Sequence, residues 1–412
     1  MKIYFDTLTP NESNLLPLQS RGKSNWWLVS RGTDIKKHLE EMNVEVDLIS
    51  RVDEPGGYFI DVNADPIWWA GVCRGPDVPT KHILSYLSDE LINLVKNKKI
   101  RIIIAADKEG GSMNIVDQNA FLSTTNAMIE LGLPPGSILI IQGNFTIKKD
   151  YDLWLENTNH PKMFDVQYSS HFTNLFFNKK FLPTSPSIDT AIAVAEFDFT
   201  SLNRVYRSHR GAHCYYLAKN KLLDKGIISC NEISLTDHAG ANIVNVSIEE
   251  FSGVLETHYP RFVDGNWSNT NAAEYYNHMF YNNSLMSFVT ETKFNENVVF
   301  PTEKIYKPIA FGHPLILLAS AGTLRAIQDL GFKIDWCGID PSYNDITDHQ
   351  ERFFKTHEIL QWWIQLSREA KVKRIMESRS TIEHNFHLIR NRHFYHESLS
   401  QAIESSKEYF NG

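Results

Sequence analysis

Cysteine is scarce in this 412-residue chain: Cys73, Cys214, Cys230 and Cys337 stand far apart, with no Cys-x-x-Cys pair. That spacing excludes a disulfide framework and a zinc-finger module, and four reduced structural thiols are expected. No apolar run approaches the roughly 18 residues that a membrane helix needs. The opening Met1-Lys2-Ile3-Tyr4-Phe5-Asp6 predicts a first strand and not a signal segment, so a cytoplasmic protein without a membrane span is expected. Positive charge is not in excess either. The formal net charge is −8, so any basic groove for a polyanion has to be local. A Gly-x-x-x-x-Gly-Lys-Ser/Thr loop and a three-glycine dinucleotide fingerprint are both missing. Asp61-Val62-Asn63-Ala64-Asp65 only loosely approximates an Asp-x-Asp strand-end motif, and no metal or resident cofactor is expected.

What is present fits a globular protein of two domains: 42% hydrophobic, 22% charged and 12% aromatic residues over a length too great for one compact core. His82 to Asn97 carries apolar residues at helical spacing, and Arg101 to Ala106 follows as a buried-strand run. Asn119 to Leu131 predicts a helix, Ser137 to Gln142 a strand and Phe164 to Tyr168 another. Such alternation predicts βαβ units and a parallel sheet. The pattern breaks near Pro183 and Pro186, then resumes. It runs through a strand-like Ala191 to Phe199, a helix from Ser208 to Leu223 and a strand from Gly226 to Ser229. Leu285–Thr290 and Leu315–Ala319 read as further strands, with a Thr302–Phe311 helix between them and an Ala321–Leu330 helix after them. From His357 to about Tyr409 the chain reads as helix throughout. The expected domains are 1–185, Rossmann-like, and 186–375, followed by a helical tail, 376–412, that is expected to pack back across the cleft.

Two segments carry the chemistry. In Phe300-Pro301-Thr302-Glu303-Lys304-Ile305-Tyr306-Lys307, a helix opens with N–H groups, a hydroxyl, a carboxylate and two cations. Thr302 is placed to cap it, Glu303 lies at its positive end, and Lys304 and Lys307 share a face. In Asn203-Arg204-Val205-Tyr206-Arg207-Ser208-His209-Arg210, three arginines sit at a strand-to-helix turn. Guanidinium forks match phosphate oxygens in pairs, and cations at a helix start oppose its dipole unless an anion is bound. N–H groups and lysines for phosphate, with a carboxylate for ribose hydroxyls, are the equipment that holds a nucleoside diphosphate.

These blocks resemble the nucleotide-binding motif of α1,3-fucosyltransferase-like enzymes, and more closely a group of glycosyltransferase-like proteins common in phages and marine bacteria. Glu291, Thr302, Glu303, Lys304, Lys307 and Pro308 match one block; Asn203, Arg204, Arg207, His209 and Arg210 match the other, while Val205, Tyr206 and Ser208 depart from it. The resemblance implies an α/β protein of the GT-B class, two facing Rossmann-like domains with a helical C-terminal tail. The donor nucleotide would lie in the C-terminal domain, with Arg204 or Arg207 and Lys304 on the diphosphate and Glu303 on the ribose. Phe288-Val289-Thr290-Glu291-Thr292 stands where the fucosyl pattern has Phe-Glu-Asn, so no particular sugar is implied.

A general base is expected from the first domain, at a strand end. Asp107 and Glu109, in the Gly-rich turn after Arg101–Ala106, are candidates, as is His171 after Phe164–Tyr168. The expected acceptor is a glycan hydroxyl or a hydroxylated or hydroxymethylated DNA base. Competing readings are a non-catalytic nucleotide- or glycan-binding protein on the same scaffold and a sugar epimerase. The pairs Trp26-Trp27, Trp68-Trp69 and Trp362-Trp363 read mainly as core filler, with Trp68-Trp69 the one most suited to stacking on a sugar.

Overall fold

The computed structural model describes residues 1–5, 33–62, 70, 82–106, 112–115, 118–177, 179, 182–230, 233–261 and 277–412. It is a mixed α/β protein with two parallel sheets flanked by helices and a helical C-terminal segment. The chain forms two compact units, one of residues 1–171 with 394–412 and one of residues 172–393.

In the first unit the described strands are β1 (Lys2–Phe5), β2 (Val46–Leu48), β3 (Gly56–Asp61), β4 (Ile100–Ala106), a short antiparallel pair β5 (Asn114–Ile115) and β6 (Gln118–Asn119), β7 (Ile138–Gln142) and β8 (Asp165–Tyr168). The main sheet runs β2-β1-β3-β4-β7-β8, all parallel. Alternate side chains feed opposite faces. Ile102, Ile104, Ile138 and Ile140 pack beneath helices Asp89–Lys96, Ala120–Glu130 and Ile147–Thr158, while Ile103, Ala105, Leu139 and Ile141 face Leu39 and the final helix Phe394–Asn411. That final helix lies on the first sheet through Tyr395, Leu399, Ala402 and Ile403.

The second unit's strands are β9 (Phe199–Asn203), β10 (Gly226–Cys230), β11 (Ser287–Thr290) and β12 (Leu315–Leu318), in the parallel order β10-β9-β11-β12. Chain order reverses between β9 and β11, which makes this the switch point of the sheet. Between the two strands backbone pairing joins Ser287 with Thr200, near the amino ends, and a bridge joins Phe197 with Ser284 just before them. At the carboxyl ends side chains take over, with the Thr290 hydroxyl bonded to the Asn203 carboxamide oxygen.

Three segments depart from expectation. His82–Asn97 is broken into a 3-10 turn, Ile83–Tyr86, and the helix Asp89–Lys96, because Ser88 accepts from Leu91 N (3.2 Å) and starts a new helix. Ala191–Phe199 is not a strand. Ile188–Val194 is a helix with Ile188 and Ala191 inward, and the strand begins at Phe199. The helical stretch expected from His357 starts earlier, at His349, where Asp348 caps Glu351 N at 2.8 Å. The Gly312-His313-Pro314 turn is present. Gly312 has φ +65°, and a Cβ there would lie 2.4 Å from Pro186 Cβ. His313 donates from Nε2 to Ser284 O (2.7 Å) and accepts from the Ser287 hydroxyl (2.8 Å), tying the turn to β11. Among the described residues no helix is long and apolar enough to cross a membrane.

Candidate functional site

The carboxyl ends of β9 and β11 carry both singled-out segments. Asn203 closes β9, buried at 3% exposure; its Nδ2 donates to Ser201 Oγ (3.2 Å), and its backbone N–H donates to Ser229 Oγ (3.2 Å). Both ends of its carboxamide are therefore used within the fold. The chain turns through Arg204 and Tyr206 into the helix Ser208–Lys219, with Arg207 in the extended N-cap position and no side-chain cap. The Tyr206 phenol and the Ser208 hydroxyl both donate to Asp237, at 2.6 and 3.1 Å. Gly211 makes room for that phenol, since a Cβ there would lie 2.3 Å from Tyr206 Oη.

Arg210 is buried and holds the crevice together. It donates to Val205 O (2.7 Å) and to Thr290 O and Glu291 O (both 3.2 Å), while its Nε has no hydrogen-bond partner. His209 donates from Nε2 to Glu291 O (2.8 Å). Burial, with Arg210, Arg207 and Lys304 nearby, holds its pKa down to about 3, so the ring is neutral. Cations from both segments thus act on one buried ring. Arg207 is exposed and forms no ion pair or side-chain hydrogen bond among the described residues.

Glu291 follows β11 and is buried at 1%. Its carboxylate accepts from Thr302 N (2.9 Å), Thr302 Oγ1 (2.6 Å), Thr292 N (2.9 Å) and Ile305 N (3.3 Å). It caps the helix Glu303–Ala310 from outside that helix, satisfying donors that would otherwise be orphaned. Thr302 adds its own cap to Lys304 N at 3.3 Å. Lys304 Nζ reaches Glu303 (2.7 Å), Thr292 Oγ1 (3.1 Å) and Thr302 Oγ1 (3.3 Å), with 29% of its side chain exposed. Burial pushes the Glu303 carboxyl up, but Lys304 and Lys307 outweigh it and hold it below its ordinary range. Among the described residues, the two segments carry Arg204, Arg207, Arg210, Lys304 and Lys307 against the acids Glu291, Glu303 and Asp237, and Glu291 is spent on helix N–H groups. The balance of these side chains is positive.

Beneath it runs a buried hydrogen-bonded row that sequence reading did not find. His357 donates from Nδ1 to Phe353 O (2.8 Å), His213 Nδ1 donates to His357 Nε2 (2.9 Å), and Ser201 donates to His213 Nε2 (3.0 Å). The carbonyl fixes the direction of every proton in the row. His209 and His213, four apart on one helix, are the signal that could have pointed to it.

Asp107 and Glu109 lie outside the described residues, as do Trp26, Trp27, Trp68 and Trp69. His171 belongs to the first unit, opens a short turn after β8 and packs edge-on against Tyr395 at 5.3 Å. Trp363 is fully buried and donates to Asp198 O (2.9 Å); Trp362 lies under Arg374. Two described cavities, of about 440 and 570 Å³, lie near Asp340 and Ser342 and include none of the residues expected at the site.

No family model matches the chain, and no curated protein does. Among solved structures, the catalytic domain of starch synthase IV from Arabidopsis thaliana, bound to ADP and acarbose, is similar at 10% identity with a TM-score of 0.43, covering 92% of this chain and 76% of that one. The functional reading rests on this chain's own residues.

Proposed function

We propose that the protein is a nucleotide-sugar-dependent glycosyltransferase of the GT-B class. The donor's diphosphate would be held in the crevice between the carboxyl ends of β9 and β11. Open parallel sheets bind ligands at such switch points. The observation that carries the reading is that the two cationic segments join at Glu291: Arg210 donates to its carbonyl, and its carboxylate receives the Thr302 and Ile305 amides at the start of the helix that bears Lys304. Arg207 and Lys304 would take phosphate oxygens, and Arg204 and Lys307 would add to the field. Glu303, one oxygen of which is held by Lys304, would accept from ribose hydroxyls. Arg210, Asn203, Glu291 and Thr302 would act by positioning, since their polar atoms are engaged within the fold.

As the glycosidic bond to the donor breaks, negative charge builds on the departing diphosphate, and preorganised cations stabilise it more than the ground state. The acceptor hydroxyl loses its proton to a base, for which Asp107, Glu109 and His171 are the candidates. A glycan or a hydroxylated DNA base would serve as acceptor. Steep loss of affinity with salt would favour DNA.

The test is nucleotide release from a panel of UDP-, GDP- and CMP-sugars, with binding measured in parallel. Lys304→Ala is expected to lower donor affinity or turnover at least tenfold, since a charge-assisted phosphate contact contributes roughly 1.5–3 kcal/mol. Full affinity and rate in that variant would remove the diphosphate assignment. Binding with no donor consumed would instead favour a non-catalytic nucleotide-binding protein.

A further inference from the structure

A second cluster lies in the first unit, far in sequence from the crevice and independent of the reading above. His38 and Glu41 are three apart on the helix Thr33–Glu41 and share one face. His396 lies in the first turn of the final helix, which meets the carboxyl end of β8 where Gln167 donates to Ser398 O (2.6 Å). The three side chains bring three donor atoms together: His38 Nδ1 to His396 Nε2 is 3.1 Å, His38 Nδ1 to Glu41 Oε2 is 3.3 Å, and His396 Nε2 to that same oxygen is 3.5 Å. An ion about 2.0–2.1 Å from each of three donors at tetrahedral angles spaces those donors roughly 3.3–3.4 Å apart. The triangle's edges, 3.1, 3.3 and 3.5 Å, each lie within about 0.3 Å of that spacing.

We propose that His38, Glu41 and His396 form a binding site for a divalent cation of the zinc class, against the sequence expectation of no metal. Two imidazoles and a carboxylate are a ligand set that zinc accepts, and three protein ligands leave a fourth position open. Water could fill it. The Glu41 side chain is 45% exposed, so an ion there is reached from solvent, whereas those of His38 and His396 are mostly covered at 13% and 20%. Tyr395 packs edge-on against the His38 ring at 5.0 Å and fixes its plane, as a ligand ring requires. Such an ion would clamp the helix Thr33–Glu41 to the final helix, two elements that already share the face of the sheet formed by Ile103, Ala105, Leu139 and Ile141.

The alternative is a plain hydrogen-bonded triad, in which a single proton lies between the two nitrogens. Equilibrium dialysis of the chelator-stripped full chain against Zn²⁺, read by elemental analysis, decides between them. One equivalent per chain is expected, as is a tetrahedral ligand-field spectrum when Co²⁺ replaces it. His38→Ala and His396→Ala should each weaken binding by about 100-fold or more, the upper end of what losing even an outer-shell partner costs. His384→Ala, an exposed imidazole bonded to Gly331 O, should leave it unchanged. Should an alanine variant fail to fold, Glu41→Gln keeps the shape and removes the anionic ligand, and weakened uptake is again expected. Absence of stoichiometric uptake, an octahedral Co²⁺ spectrum, or undiminished uptake in the folded variants would each overturn the site.

Discussion

Three arginines are buried among the described residues, and Arg101 of the first unit and Arg210 of the second do opposite things, while Arg352 of the second unit spends all its guanidinium nitrogens on backbone carbonyls. Arg101, fully buried, sits at the amino end of β4. It donates to Gly136 O (2.8 Å) and to the hydroxyls of Ser405 (3.0 Å) and Ser406 (3.4 Å), forms an ion pair with Asp165, and lies over the Tyr409 ring at 5.2 Å. Its charge is cancelled and its donors are largely spent, so it is a clamp between strands and the final helix. Arg210, at 4% exposure, sits instead at the carboxyl ends of β9 and β11. It has only carbonyl partners, no ion pair among the described residues and a bare Nε. Burying a cation without a bonded carboxylate is costly, and a perturbed charge of that kind at a strand end is a candidate for function. What sets Arg210 apart from both Arg101 and Arg352 is its place at the switch point of a sheet with one guanidinium nitrogen left without a partner.

The largest difference should appear in acid. The second unit holds four wholly buried neutral histidines, His209, His213, His313 and His357, against His82 in the first. Burial lowers all of them, to about 3 for His82, His209 and His357, to about 4 for His313, and well below the ordinary value for His213, where His357 adds to the effect. Their folded pKa values are depressed, so the unfolded chain binds more protons below about pH 6.5. Stability is then complete above that pH and is lost as pH falls toward the folded values. Each histidine contributes about 1.4 kcal/mol per pH unit within the window. Hydrogen exchange resolved by peptide, at pH 7 and pH 5, should show β9–β12 losing protection well before β3, β4 and β7. Equal loss in both sheets would break the comparison.

The next effect belongs to the first unit. Arg101→Leu should cost about 3 kcal/mol, the low end for breaking a buried pair, because Asp165 is a third exposed and keeps Lys162 at 2.7 Å. Denaturant unfolding followed in the first unit should register that loss, while nucleotide affinity stays within twofold. A change in affinity as large as the change in stability would mean that the two units are not as separable as their charges imply.

Legibility in the sequence differed strand by strand: β1, β4, β7 and β8 of the first sheet and β10, β11 and β12 of the second were readable, whereas β2, β3 and β9 were not. Ile100–Ala106 and Ile138–Gln142 are buried on both faces by apolar side chains, so hydropathy alone marks them. β9 reads Phe-Thr-Ser-Leu-Asn, and its burial depends on Ser201 meeting His213 and Asn203 meeting Thr290. Those partners are 12 and 87 residues away, and polar burial of that kind leaves no periodic trace. The apolar Ala-Ile-Ala-Val run just before it therefore looked like the strand and is a helix. The two cationic segments were visible as composition. That Glu291 caps the helix Glu303–Ala310 was not, because the carboxylate lies eleven residues before the Thr302 amide it receives.

The smallest structural effect should carry a large functional one. Arg207 is exposed, makes no side-chain bond among the described residues, and opposes the dipole of the helix it precedes. No side chain among the described residues bonds its guanidinium, so Arg207→Ala should change stability by no more than about 0.5 kcal/mol, in either direction. If the crevice holds a diphosphate, the same change removes a charge-assisted contact that contributes roughly 1.5–3 kcal/mol, and nucleoside diphosphate affinity should fall by about ten- to a hundredfold. Lys304→Ala provides the paired measurement, and the double variant shows whether the two cations meet one ligand. Residues on a shared partner couple, so the double loss should fall short of the sum of the single losses. Strict additivity in calorimetric titration would mean that Arg207 and Lys304 serve different ligands or none.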